Sequence, residues 1–98
     1  MDGVGPGHPG FLLMPKLNWN IIAPNIADAR EQLEEIEARI KAGNPPKPVE
    51  FQIMMQHAYH HLNFAWNARH WSTRRYAHLT QEDFQAGGKQ PSDLDFED

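Results

Sequence analysis

The sequence predicts an all-α fold: a helical hairpin that forms a four-helix bundle as a homodimer, with an extended N-terminal arm and a short C-terminal helix. Three observations predict it. Ile26, Ala29, Leu33, Ile36 and Ile40 recur at spacings of 3, 4, 3 and 4, so one stripe of a helix is apolar while Glu31, Glu34, Glu35 and Arg39 point elsewhere. From Val49 onward a second stretch runs without a breaker and gathers Phe51, Met55, Ala58, Leu62 and Ala65 on one side. Between the two lie Gly43 and Asn44-Pro45-Pro46-Lys47-Pro48, which end one helix and open the next.

The first helix is expected over about residues 26–42, with Asn25 as its N-cap and Asp28 in its first turn. The second, longer helix is expected over about residues 49–73, with Pro48 at its first position and Glu50 in its first turn. Alanines at 58 and 65 let the two backbones approach closely. Thr80-Gln81-Glu82-Asp83 resembles a capping box with Asp in place of Glu, starting a short helix that Gly87 and Gly88 end. Residues 1–23 are read as a flexible or extended arm, residues 24–86 as the hairpin domain and residues 87–98 as an acidic tail. Within the arm, residues 16–22 alternate with a strand-like period, Leu17, Trp19 and Ile21 on one side. A lone strand has no partner in this chain, so they are read as an extended segment draped over the helical body. Gly5 to Gly10 match G-x-G-x-x-G formally, but no strand precedes them and two prolines remove amide donors a phosphate would need.

Composition narrows the function classes. A chain of 98 residues buries only about 60–65 % of its unfolded surface, so its own core is thin. It has no cysteine, hence no disulfide, no thiolate nucleophile and no zinc site built on Cys, and oligomerisation is the usual remedy for such a chain. No apolar run approaches the ~20 residues of a membrane helix, and Phe11-Leu12-Leu13-Met14 is too short and lacks the basic flank of a signal peptide. A cytoplasmic protein with no membrane partner is expected. The net charge of -4 is unevenly spread, since residues 49–81 are net basic and residues 82–98 strongly acidic. Five of the six histidines also lie in the basic middle.

The second helix carries the candidate site. Gln56, His60, Asn63, Asn67, His70 and Arg74 fall within about 80° of one another on an ideal helix, edged by Trp71, Phe64 and Ile53 on one side and by Tyr59 and Trp66 on the other. Solvated helix faces usually carry Glu and Lys, and Asn costs roughly half a kcal/mol against Ala in a helix interior. A polar stripe with aromatic rims therefore reads as a half-buried interface whose amides and imidazoles bond to another chain. The expected function is a non-enzymatic interaction module, homodimeric, with Trp66 and Trp71 among its binding residues.

A second reading is a metal- or small-ligand-binding bundle. His57, His60 and His61 stand at i, i+3 and i, i+4, where two imidazoles can share a divalent metal, although a full ligand set is not visible in the spacing. No cofactor is otherwise expected. Arg69, Arg74 and Arg75, interleaved with Trp71 and Tyr76, have the composition of a phosphate-binding patch, but three arginines beside an acidic tail, which would repel a phosphate backbone, argue against nucleic acid as a partner. Neither Ser72 nor Ser92 sits in a nucleophile elbow, and no pair of acids accompanies the histidines, so no catalytic residue is assigned. The tail, with Leu94 and Phe96 among acids, is a possible docking segment for another protein.

Overall fold

A computed structural model describes residues 16–94. The arm's residues 1–15, with the glycine motif and Phe11 to Met14, lie outside the described residues, as do tail residues 95–98. The described residues are all-helical: α1 (Trp19–Lys41), α2 (Pro48–Asn67), α3 (Thr73–Ala77) and α4 (Gln81–Gly88).

α1 and α2 run antiparallel. At the end near their connection, both guanidinium nitrogens of Arg39 donate to Glu50, at 2.9 and 3.2 Å, and the Lys47 amide donates to the same carboxylate at 3.1 Å. At the other end the Asn18 amide donates to the Arg69 carbonyl at 2.7 Å. The turn out of α1 places Gly43 at φ +75°, a left-handed conformation that glycine adopts without steric cost.

α1 starts seven residues earlier than its apolar pattern predicts and, at 23 residues against 20, is the longer of the two. Residues 19–22 are therefore helical, which corrects the expectation of an extended segment there. The Asn18 side chain caps the new start by accepting from the Asn20 amide at 3.1 Å, while its own amide donates to the Trp71 carbonyl at 2.8 Å. Pro24 lies inside the helix, where it removes one backbone bond and typically costs about 3 kcal/mol. Burial on either side offsets it: Ile21 is fully buried, and Asn25, far from being an exposed N-cap, is only 2 % exposed.

α2 stops at Asn67 instead of running to about residue 73. No breaker marks the place. The carbonyls near its C-terminus instead find donors outside the helix: Arg69 O accepts from the α1 start, and Trp66 O accepts from the Arg69 guanidinium at 2.7 Å. Ser72 then caps α3 by accepting from the Arg75 amide at 3.0 Å, a short helix that periodicity did not predict. The expected capping box does open α4, with Asp83 N donating to Thr80 Oγ1 and Thr80 N to Asp83.

The core sits where these ends meet. Phe64 is its hub, packed against Ile21 and Ala68 and edge-on to Trp71 and Tyr76, with both ring centroids 5.9 Å away. α4 lies across α2 and closes the cluster with Phe84 and Gly87.

Candidate functional site

The polar stripe is divided by the fold. Gln56, His60, Asn63 and Asn67 lie on α2, whereas His70 and Arg74 fall beyond its end and do not share the face. The two asparagines that looked costly in a helix interior meet the carbonyl end of α4. Asn63 Nδ2 donates to Gly88 O at 3.0 Å, and Asn67 Nδ2 donates to Gly87 O at 2.9 Å and Ala86 O at 3.2 Å. They satisfy the last carbonyls of a helix, which no backbone donor reaches. Their amides thus bond to carbonyls of the same chain. Gln56 and Arg74 are exposed, and His70 Nδ1 donates to the Lys16 carbonyl at 3.1 Å.

The rim tryptophans are likewise engaged within the chain. Trp66 Nε1 donates to Asp93 at 2.9 Å, and the Arg69 guanidinium stacks 3.7 Å over the same indole. Arg75 stacks 3.8 Å over Trp71 and donates to Asp83 at 2.7 Å. Two of the three arginines considered for phosphate are therefore bound to carboxylates of the C-terminal segment. The Trp66 indole and the Arg69 guanidinium hold the Asp93 carboxyl below the ordinary carboxylate range, and Arg75 does the same for Asp83.

The histidines separate into different roles. Asn25 donates from its amide to Ile21 O at 2.9 Å and to the Tyr76 hydroxyl at 3.1 Å, so its Oδ1 is the acceptor and His61 Nδ1, 3.1 Å away, must donate. Asp28 lies 3.7 Å from that same nitrogen. His60 packs between Phe64 and Phe84, at centroid separations of 5.3 and 5.2 Å, and His57 is exposed. Among the described residues no three His, Asp or Glu side chains converge as a metal ion requires.

Burial lowers the pKa of His60 below the ordinary imidazole value of 6.5, and the neighbouring His61 and His57 lower it further. Between that depressed value and 6.5 the unfolded chain binds more protons than the folded one, so stability rises with pH. The contribution is present in full above about 6.5 and is lost as the pH falls through the folded pKa. The depressed carboxyls of Glu50, Asp83 and Asp93 act in a separate, lower window, below about pH 4. Thermal melting at pH 7.5 and 5.5 is expected to show the loss, and His60→Phe to flatten it; an equal slope in the variant would assign the effect elsewhere.

Among the described residues one surface has no intramolecular partner. The buried positions of α1 are Ile21, Asn25, Ala29 and Ile36, not the full predicted seam. At 100° per residue this face is rotated by about 60° from the seam, which leaves Ile26, Leu33 and Ile40 outside, with Leu33 46 % and Ile40 57 % exposed. On α2, Phe51, Tyr59 and Leu62 are also exposed. In an antiparallel pair both sets fall on the same side, opposite the one that carries Asp28, His61, Arg39 and Glu50. The result is one apolar face running along both helices. Its edge continues into a cleft of about 420 Å³ lined by Tyr59, Leu62, Asn63, Trp66, Pro91 and Leu94. The sequence already contained this face as the heptad Ile26, Leu33, Ile40, but the spacing alone assigned it to the contact between the two helices.

Comparison of the chain with known protein families, with curated proteins and with solved structures finds no match. Among the described residues no helix is long and apolar enough to cross a membrane.

Proposed function

We propose that the protein is a non-enzymatic helical interaction module that works as a homodimer, the apolar face of α1 and α2 covered by the same face of a second copy to complete a four-helix bundle. The observation that carries this reading is the side-by-side exposure of Ile26, Leu33 and Ile40 with Phe51, Tyr59 and Leu62. Contiguous apolar surface of this kind marks an interaction site, whereas scattered single residues would not. The small core supports it further, since among the described residues only eight apolar side chains are buried. The working surface is then the apolar face, while the His/Asn stripe holds the C-terminal segment in place behind it.

Leu33→Glu tests the reading, because the side chain lies in the face and outside the buried core. Native mass spectrometry is expected to give a dimer for the natural chain and a monomer for the variant, with the helical circular dichroism retained. A natural chain that stays monomeric at micromolar concentration would remove the proposal.

A further inference from the structure

Resting on the self-pairing reading, we infer that the two copies meet about a twofold axis that crosses the helices at Leu33, so that α1 packs antiparallel on the partner's α1 and α2 on the partner's α2. Arg39 lies opposite Glu50 and Asp28 opposite His61 across the helix pair, which sets Leu33 level with Gln56. Three exposed residues of α1 are symmetric about that level, Ile26 and Ile40 each lying seven residues from Leu33, while exposed Trp19 lies one heptad further out at the start of the helix. On α2, Phe51 and Leu62 lie five and six residues to either side of Gln56, with Tyr59 between Gln56 and Leu62. A single axis therefore seats Ile26 on the partner's Ile40, Leu33 on the partner's Leu33, and Phe51 on the partner's Leu62. Each of these five groups meets an apolar group, with Tyr59 and Trp19 left at the borders of the contact.

Charge decides between this arrangement and the other twofold solution. Arg30 and Glu37 border the seam of α1 on its outer edge, about 50° from the Ile26–Leu33–Ile40 line. The axis at Leu33 brings Arg30 beside the partner's Glu37 and Glu37 beside the partner's Arg30, two ion pairs at the rim. Glu34, 3.9 Å from Arg30, lies further round the helix, away from the seam. An axis parallel to the helices would instead lay α1 on the partner's α2, which carries no Asp, Glu, Lys or Arg between Phe51 and Asn67. Arg30 and Glu37 would then border a stretch of α2 with no charge of its own, where the nearby Asp93 is already engaged by Trp66 and Arg69. Rim pairs add little affinity, but they select orientation.

The absence of cysteine makes a cross-linking test clean. Mixed Ile26→Cys and Ile40→Cys chains are expected to form the mixed disulfide under mild oxidation in excess over either homodisulfide, and an Ile26→Cys with Leu62→Cys mixture to form little. Reversing one charge, Arg30→Glu or Glu37→Arg, is expected to raise the dimer dissociation constant about three- to tenfold, with the double reversal returning to within about twofold of the natural chain. A dimer by native mass that cross-links 26 to 62 and ignores both charge reversals would overturn the axis and leave the self-pairing reading standing. A monomeric natural chain would overturn both.

Discussion

Replacing Phe64 with alanine is expected to unfold the protein at room temperature. Phe64 is 3 % exposed and touches every element beyond the connection: Ile21 of α1, Ala68 at the end of α2, Trp71 and Tyr76 around α3, Phe84 and Gly87 of α4. Truncating a buried phenylalanine costs about 3–5 kcal/mol, and the site cannot collapse easily because its walls come from four separate elements. Small domains are stable by only about 5 kcal/mol at the lower end of the usual range, so the loss is comparable to the whole. Urea denaturation followed by tryptophan fluorescence checks this. Retention of most of the natural chain's transition midpoint would show that the helix pair is stable without its aromatic hub. In a dimer the loss is shared with the interface, so the measurement belongs at low protein concentration.

Replacing Gly87 with alanine is expected to release α4 while leaving α1 and α2 folded. A Cβ at this position would stand 2.3 to 2.7 Å from three atoms of the Phe64 ring, and that ring is fixed in the core. Overpacking of this kind costs about 1–3 kcal/mol, and the least costly escape is for the short helix to lift away. Lifting would break the Asn63 and Asn67 bonds to its carbonyls and expose His60. Amide exchange across Gln81–Gly88 should accelerate, and the pKa of His60 should return toward 6.5. Unchanged protection in α4 would mean that Phe64 yields instead. Gly88→Ala is the control, since its Cβ would meet only the His60 ring, at 2.8 to 2.9 Å, which can turn aside.

What could be read in advance follows from how far each signal reaches along the chain. Gly43 and the prolines after it, the Glu50 first turn and the Thr80–Asp83 box act within four residues, and each stands where the sequence placed it. The start of α1 was missed because Pro24 and Asn25 look like a local helix opening. In the folded chain Asn25 serves a side chain 36 residues away at His61 and another 51 residues away at Tyr76. The end of α2 was missed for a similar reason, its partner being Asn18, more than 50 residues earlier. The asparagines at 63 and 67 donate to carbonyls of α4, 19 to 25 residues later, and no local pattern in the sequence marks that contact.

The sequence by itself determined that the protein is helical and where its two main helices are joined. Only the tertiary structure decided which of the two faces of α1 is buried. Ala29 and Ile36 lie in both faces, so periodicity is nearly the same for either. The choice falls to groups that cannot see each other until the chain is folded: Ile21 entering the Phe64 cluster, Asn25 bridging Tyr76 and His61, and Arg39 pairing with Glu50. Once these contacts turn α1 toward α2, Ile26, Leu33 and Ile40 are left facing outward, because a helix has one fixed angular spacing and cannot present both seams to the same neighbour.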